Sequence, residues 1–306
     1  MNKTARIIIN LGAPDRPDTA SARKFLYEFL SDKRVLSLPQ PLRATLAFLI
    51  ARKRKYAYAK SLEKIFRDGA HPLKTHTENL ARKITQIDGK PVYVAYRYGA
   101  NNITSTVEAL KRNGVKYFTF IPLYPQQTCS TTDSATARLK RVLARSQYKV
   151  AKPYFDDPVY ISALASTVPS KCKTLVVSFH SVPISHTKGS PYVTQCKRTT
   201  ELLAKMLGLD DVHLGWQSAI PKGEWLKPST QDVVEKLLKS GRKTIAVIAP
   251  SFACDCAETL IELGEDLKEK FLNQGGEKFH LCHSLNDSDM HARLMAKMFK
   301  FLEAKL

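Results

Sequence analysis

Short runs of Val, Ile and aromatic residues alternate with longer stretches of helical period along the whole chain. The runs predict strands at 6–11, 92–98, 117–123, 174–179, 212–216, 244–249 and 279–282. Between them, apolar positions recurring every three or four residues predict helices at 20–30, 41–66, 73–87, 103–113, 131–146, 192–207, 231–240, 257–273 and 289–303. Asn113-Gly114 and Ser240-Gly241 stop two of these helices directly before a strand. Regular alternation of this kind implies parallel sheets covered by helices.

An internal echo divides the chain. Residues 109–124 read ALKRNGVKYFTFIPLY and residues 236–252 read KLLKSGRKTIAVIAPSF. Each is helix, glycine cap, basic residue, buried strand and proline, which points to two related halves. The expected fold is therefore α/β, with two doubly wound, Rossmann-like parallel-sheet domains. The halves are expected at 1–160 and 161–285, joined near 154–169, with a helix at 286–306. Ligands of such sheets bind beyond the carboxyl ends of strands. Asn10-Leu11-Gly12, Arg97-Tyr98, Tyr124-Pro125-Gln126, His180-Ser181, Trp216-Gln217-Ser218 and Ser251-Phe252 all fall at predicted strand exits. No glycine placement forms a dinucleotide fingerprint or a phosphate loop, so a nucleotide cofactor is not expected.

Charge adds one feature to this picture. The formal net charge is +20, and residues 43–67 hold eight Lys or Arg against the single acid Glu63. A solvated helix face, an anionic membrane or a carboxylated ligand would each account for the patch. Nucleic acid is not expected, because no helix-turn-helix, RNA-recognition or zinc-knuckle pattern accompanies it. The start MNKTAR-IIINLG lacks a secretory apolar region, and the longest apolar run, ATLAFLIA at 44–51, is too short to span a bilayer. Six irregularly spaced cysteines suit reduced thiols and a cytoplasmic setting.

His180 leaves a buried strand for a polar turn, and Glu258 follows another strand exit in the same half. An imidazole and a carboxylate facing one crevice can accept protons or bind a metal. Glu258, Glu262 and Asp266 are spaced i, i+4, i+8 and so share one helix face. Such a stripe in a basic chain suits a hard divalent cation, or is a solvated face balanced by Lys268 and Lys270.

These residues sit in motifs that resemble those of the ferrochelatase family. SFHSVP at 178–183 is similar to the family signature whose histidine corresponds to His180, and PSFACDCAETL at 250–260 to the one whose glutamate corresponds to Glu258. NLGAP, RYG, PLYPQ, STT, WQS, WLKP and LND follow in the family's order over nearly all 306 residues. The resemblance implies a two-domain cleft enzyme of the chelatase superfamily whose C-terminal helix packs back on the first half. Its substrates would be ferrous iron and a porphyrin dicarboxylate, bent so that pyrrole lone pairs tilt out of plane, and its product protohaem. His180 would take a pyrrole proton or ligate iron, Glu258 would work with it, and Glu262 and Asp266 would feed the metal inward. Leu11, Tyr98, Tyr124, Trp225 and Phe252 would wall the porphyrin, with Arg97, Gln217 and Ser218 as polar contacts.

Several positions depart from the family. Ala219-Ile220 replaces a basic residue, Ala70-His71-Pro72 stands for Gly-Ser-Pro, and Leu62 stands for a tyrosine. Coproporphyrin as substrate, a sister cobalt or nickel chelatase, or a non-enzymatic haem or metal carrier remain alternatives. Cys129 matches one ligand of the two-iron, two-sulfur cluster that some members carry. The other three usually come from a C-terminal cysteine group, and no cysteine follows Cys282, so the balance is against a cluster and no permanent cofactor is expected. A monomer with reversible contact to an anionic membrane completes the expectations.

Overall fold

The computed structural model describes residues 4–220 and 223–305, which divide into two compact units. The first unit holds a four-stranded parallel sheet of β1 (Thr4–Asn10), β2 (Val92–Tyr96), β3 (Tyr117–Pro122) and β4 (Tyr148–Val150), in the order β2-β1-β3-β4. Its helices are α1 (Thr19–Leu30), α2 (Gln40–Ile65), α3 (Pro72–Asp88), α4 (Ile103–Arg112) and α5 (Thr132–Val142). Ile7, Ile8 and Ile9 are fully buried because a central parallel strand is covered on both faces.

The second unit repeats the plan. Helix α6 (Pro158–Ala165) leads into β5 (Leu175–His180), α7 (Tyr192–Leu207), β6 (Val212–Gln217), α8 (Thr230–Lys239) and β7 (Thr244–Ile248). A π-helical segment, Glu258–Leu267, continues into α9 (Lys268–Asn273), followed by β8 (Lys278–Cys282). The strand order β6-β5-β7-β8 is that of the first sheet, so the echo in the sequence is an echo of topology. The chain then returns through α10 (Asp289–Glu303) to the first unit. There Arg6, only 2% exposed, bonds Asp88 at 2.8 Å and Glu303 at 2.6 Å, with Phe299 against its guanidinium.

Four elements differ from expectation. The helix read at 131–146 stops at Val142, and Leu143 leads instead to a 3₁₀ turn, Arg145–Gln147. Strand β4 and helix α6 were not foreseen, and α6 spans the expected boundary after residue 160 within the second unit. The helix read at 257–273 is π-helical over its first ten residues.

The Ala70-His71-Pro72 departure has a structural role. His71 is the N-cap of α3: its Nδ1 accepts the Leu73 amide at 3.2 Å, and its ring packs edge-on against Phe66. The cap needs a neutral ring, and burial, with Lys74 adding, lowers its pKa to about 4 from 6.5. Between those values the native state holds fewer protons than the unfolded chain. The stability present above pH 6.5 is therefore lost as pH falls towards 4, by about 3 kcal/mol in full. His71→Asn keeps an acceptor at the cap, so melting temperatures over this range should fall less steeply than those of the parent. Parallel curves would refute this assignment.

Candidate active site

The strand β5 is fully buried up to Phe179, apolar but for Ser178, and His180 is its half-exposed last residue. Its Nδ1 lies 2.6 Å from the carbonyl oxygen of Ser181. A carbonyl only accepts, so Nδ1 carries a proton, and the neutral tautomer compatible with this contact has its lone pair on Nε2. The backbone around it is pinned: the His180 carbonyl accepts the Tyr192 hydroxyl at 2.8 Å, and the Ser181 amide bonds the Gln217 carbonyl at 2.7 Å. Phe252 lies beside the imidazole, with ring centroids 6.2 Å apart.

Gln217 pairs with His180 in the sheet and ties it to Glu258. Its Nε2 donates to the Glu258 carbonyl at 2.9 Å, and its Oε1 accepts from Ser178 at 2.7 Å. The single Ser178 proton is thereby used, so Thr230, 2.7 Å away, donates to Ser178. Gln217 is 3% exposed with both ends of its amide engaged inside the protein, which makes it a brace between the two central residues. Asp255 anchors the start of the π-helical segment. It accepts from Thr259 at 3.0 Å, Ser284 at 3.2 Å and Asn286 at 2.8 Å.

A π-helical ladder bonds i to i+5 and has between four and five residues per turn. Glu258, Glu262 and Asp266 thus still share a face, with Asp266 exposed and the glutamates half-buried. Ser218 has φ +63°, a conformation rare for a side chain other than glycine. That turn directs its amide to one Glu262 oxygen at 2.6 Å and its hydroxyl to the other at 2.5 Å. Trp225 is brought to the turn after His180 by a bridge to Pro183, flanked by Ile184 N to Glu224 O at 2.9 Å.

The site residues expected in the first unit lie at its strand exits, but mostly face inward. Arg97 is 8% exposed; its Nε donates to Ser134 at 2.6 Å and its guanidinium also bonds Asp32. The Tyr98 hydroxyl donates to the same carboxylate at 3.0 Å, and Phe25, Phe29 and Arg97 crowd its ring. Burial would raise the Asp32 carboxyl, but hydrogen bonds from Ser134 and Arg34 and the charge of Arg97 hold it below its ordinary value. Tyr124 is 8% exposed, and burial pushes its phenol far up. Leu11 is half-buried against the core. Asp32, missed in the sequence, organises this group from 65 residues away.

Beyond β1 and β2 opens a cavity of about 800 Å³, lined by Ala13, Arg23, Lys24, Tyr27 and Phe48 among others. Tyr27 and Phe48 are 42% and 47% exposed. The run ATLAFLIA, which contains Phe48, was the signal for this wall.

The ferrochelatase family profile matches residues 3–301. The chain belongs to the ferrochelatase family. A ferrochelatase of Vibrio parahaemolyticus is 34% identical, with 98% of each chain covered. One from Bradyrhizobium diazoefficiens is 39% identical over 92% of this chain and 88% of its own. Among solved structures, SirB of Bacillus subtilis with Fe3+ shares the fold at a TM-score of 0.60 and 12% identity, covering 99% of this chain and 96% of the other.

For a ferrochelatase, iron is substrate. Among the described residues no three His, Cys, Asp or Glu side chains converge as a metal site, and Glu262 is held by Ser218. A two-iron, two-sulfur cluster takes four converging thiolates. The described residues present no such set around Cys129, whose thiol is raised by burial and by Asp133. No described helix is long and apolar enough to cross a membrane.

Proposed function

We propose that the chain inserts ferrous iron into protoporphyrin IX to make protohaem, with His180 and Glu258 as its catalytic pair. The observation that carries this reading is the Nδ1–H of His180 held on the Ser181 carbonyl, which fixes the lone pair on Nε2. Insertion replaces two pyrrole protons by one Fe²⁺, so a base must take up what the macrocycle loses. Nε2 takes the first proton, and the Glu258 carboxylate receives the second. In the first unit, Phe48 and Tyr27 offer apolar surface to the tetrapyrrole, and Arg23 and Lys24 offer charge to its propionates. The direct test is loss of free-base absorbance when the protein meets protoporphyrin and Fe(II), with Co(II), Zn(II) and coproporphyrin as comparisons. A protein that binds haem but leaves the free base unchanged is a carrier.

Glu262 and Asp266 are proposed to pass iron towards that pair. Neutralising both should raise KM for iron several-fold and leave KM for porphyrin unchanged. Equal effects on both substrates would make the stripe a solvated face.

Peripheral contact with an anionic membrane is proposed for α2. Leu42, Leu49 and Tyr56 are 61%, 55% and 66% exposed beside exposed Arg52, Lys53 and Arg54. Each cation near an anionic surface contributes about 1 kcal/mol, screened by salt. The protein should float with phosphatidylserine vesicles at low salt and be released at high salt. No flotation at low salt would remove the proposal.

A further inference from the structure

The first unit holds a second cavity, of about 330 Å³, whose lining is dominated by cations. Lys33 and Arg34 follow α1, Arg43 stands on the first turn of α2, Arg97 at the exit of β2, and Arg138 and Arg141 on α5. Two carboxylates, Glu28 and Asp32, also line it. Six cations against these two carboxylates leave a positive surplus. Asp32 is enclosed by Arg97, Ser134 and Tyr98, and a Glu28 oxygen accepts the Gly99 amide at 3.0 Å.

Arg43 is held in place by oxygens without charge: the carbonyls of Ser31 at 2.9 Å and Leu38 at 2.6 Å, and the Gln40 side chain. Burial first, then the charges of Arg97 and Arg141, push the Arg138 pKa down. Cations this crowded repel one another, and Asp32 and Glu28 relieve Arg138 only in part. The Ser31 hydroxyl, also in the lining, is buried without a hydrogen-bond partner among the described residues. A smaller space of about 290 Å³ shares Glu28, Arg97 and Arg138 with the first. Thr104 lines it with a second buried, unpartnered hydroxyl.

We propose that this cavity binds a small polyvalent oxyanion, a phosphate compound or a polycarboxylate, through the guanidinium groups of Arg34, Arg43 and Arg138. Guanidinium forks match carboxylate and phosphate oxygens in pairs, and the stranded Ser31 hydroxyl supplies a donor for a remaining oxygen. The volume suits a molecule of pyrophosphate or citrate size. This site is additional to the proposed metal insertion and needs neither porphyrin nor iron to be filled.

The test is calorimetric titration of the full chain with pyrophosphate and with citrate, against sodium chloride at matched ionic strength. One saturable site for either anion is expected. Arg138→Gln and the exposed, structurally permissive Arg141→Gln should each weaken it, the former by about tenfold or more. Binding of pyrophosphate alone identifies a phosphate source, and of citrate alone a carboxylate source. Heats that chloride reproduces, or affinities unchanged in both variants, overturn the proposal. Pyrophosphate binding that saturating protoporphyrin abolishes also overturns it, by assigning the cavity to propionates. Because the titration contains no metal and reads no turnover, its failure leaves the insertion reaction untouched, and loss of insertion leaves this result untouched.

Discussion

Replacing His180 with alanine should lower the rate of iron insertion by about 10²–10⁴-fold, the usual contribution of a positioned base, without changing the melting temperature. Among the described residues the ring makes one hydrogen bond, at Nδ1, and it lies half-exposed at the end of β5. Its removal therefore leaves the backbone bonds from Tyr192 and to Ser251 in place, because these use the carbonyl and amide. KM for porphyrin should change little if His180 acts on the leaving proton. Glu258→Gln should also fall steeply in kcat, since the amide cannot accept a proton, while the Gln217 bond to the Glu258 carbonyl survives. Turnover near the parent rate in His180→Ala, with equal melting, would take His180 out of the mechanism.

The largest expected effect on stability is at Arg6. Its side chain is 2% exposed and bonds Asp88 and Glu303, which are 14% and 21% exposed. Burial would weaken its hold on the proton, but hydrogen bonds to Glu303 and Asp88 more than reverse this. Arg6→Ala leaves Asp88 facing a void without its ion-pair partner, leaves Glu303 with Lys90 alone, and removes the stacking on Phe299. Breaking a buried pair on one side costs about 3 kcal/mol or more, so the first transition in urea should move to lower concentration. Restoring neutrality with Asp88→Asn and Glu303→Gln in the Arg6→Ala background should recover part of the loss. A shift of under about 0.5 kcal/mol, the range of ordinary surface substitutions, would show that the ion pair is dispensable.

Central strands and the principal helices were legible because burial on both faces writes uninterrupted apolar runs, as at Ile7–Ile8–Ile9 and Leu175–Val176–Val177. The elements that escaped lacked that signal. Strand β4 has only Tyr148, Lys149 and Val150, too short to show a period. In α6, Tyr160, Ile161, Ala163 and Leu164 are all buried, so no polar face marks a helix. His180 and Glu258 could be read from strand exits and the motifs around them. The brace formed by Ser178 and Gln217 could not, since it depends on strands 39 residues apart meeting in register. Asp32 was hidden for the same reason: in Ser-Asp-Lys-Arg it reads as a solvated turn, and Arg97 comes to it from another strand. Helical spacing predicted the shared face of Glu258 and Glu262, but nothing in that spacing marks the wider π ladder of Glu258–Leu267.

The return of α10 to the first unit has a consequence during synthesis. The ribosome delivers Arg6 at the start and its partner Glu303 297 residues later. At about 5–20 residues per second, Arg6 waits roughly 15–60 seconds for the partner that completes its site. Residues 153–286 of the second unit, by contrast, emerge as one continuous stretch. The usual order, in which the half made first is finished first, is therefore reversed. Until then β3 and α3 leave uncovered the apolar ground that α10, with its buried Phe299 and Met295, will occupy, and a nascent chain stalled before α10 should be a preferred client for chaperones.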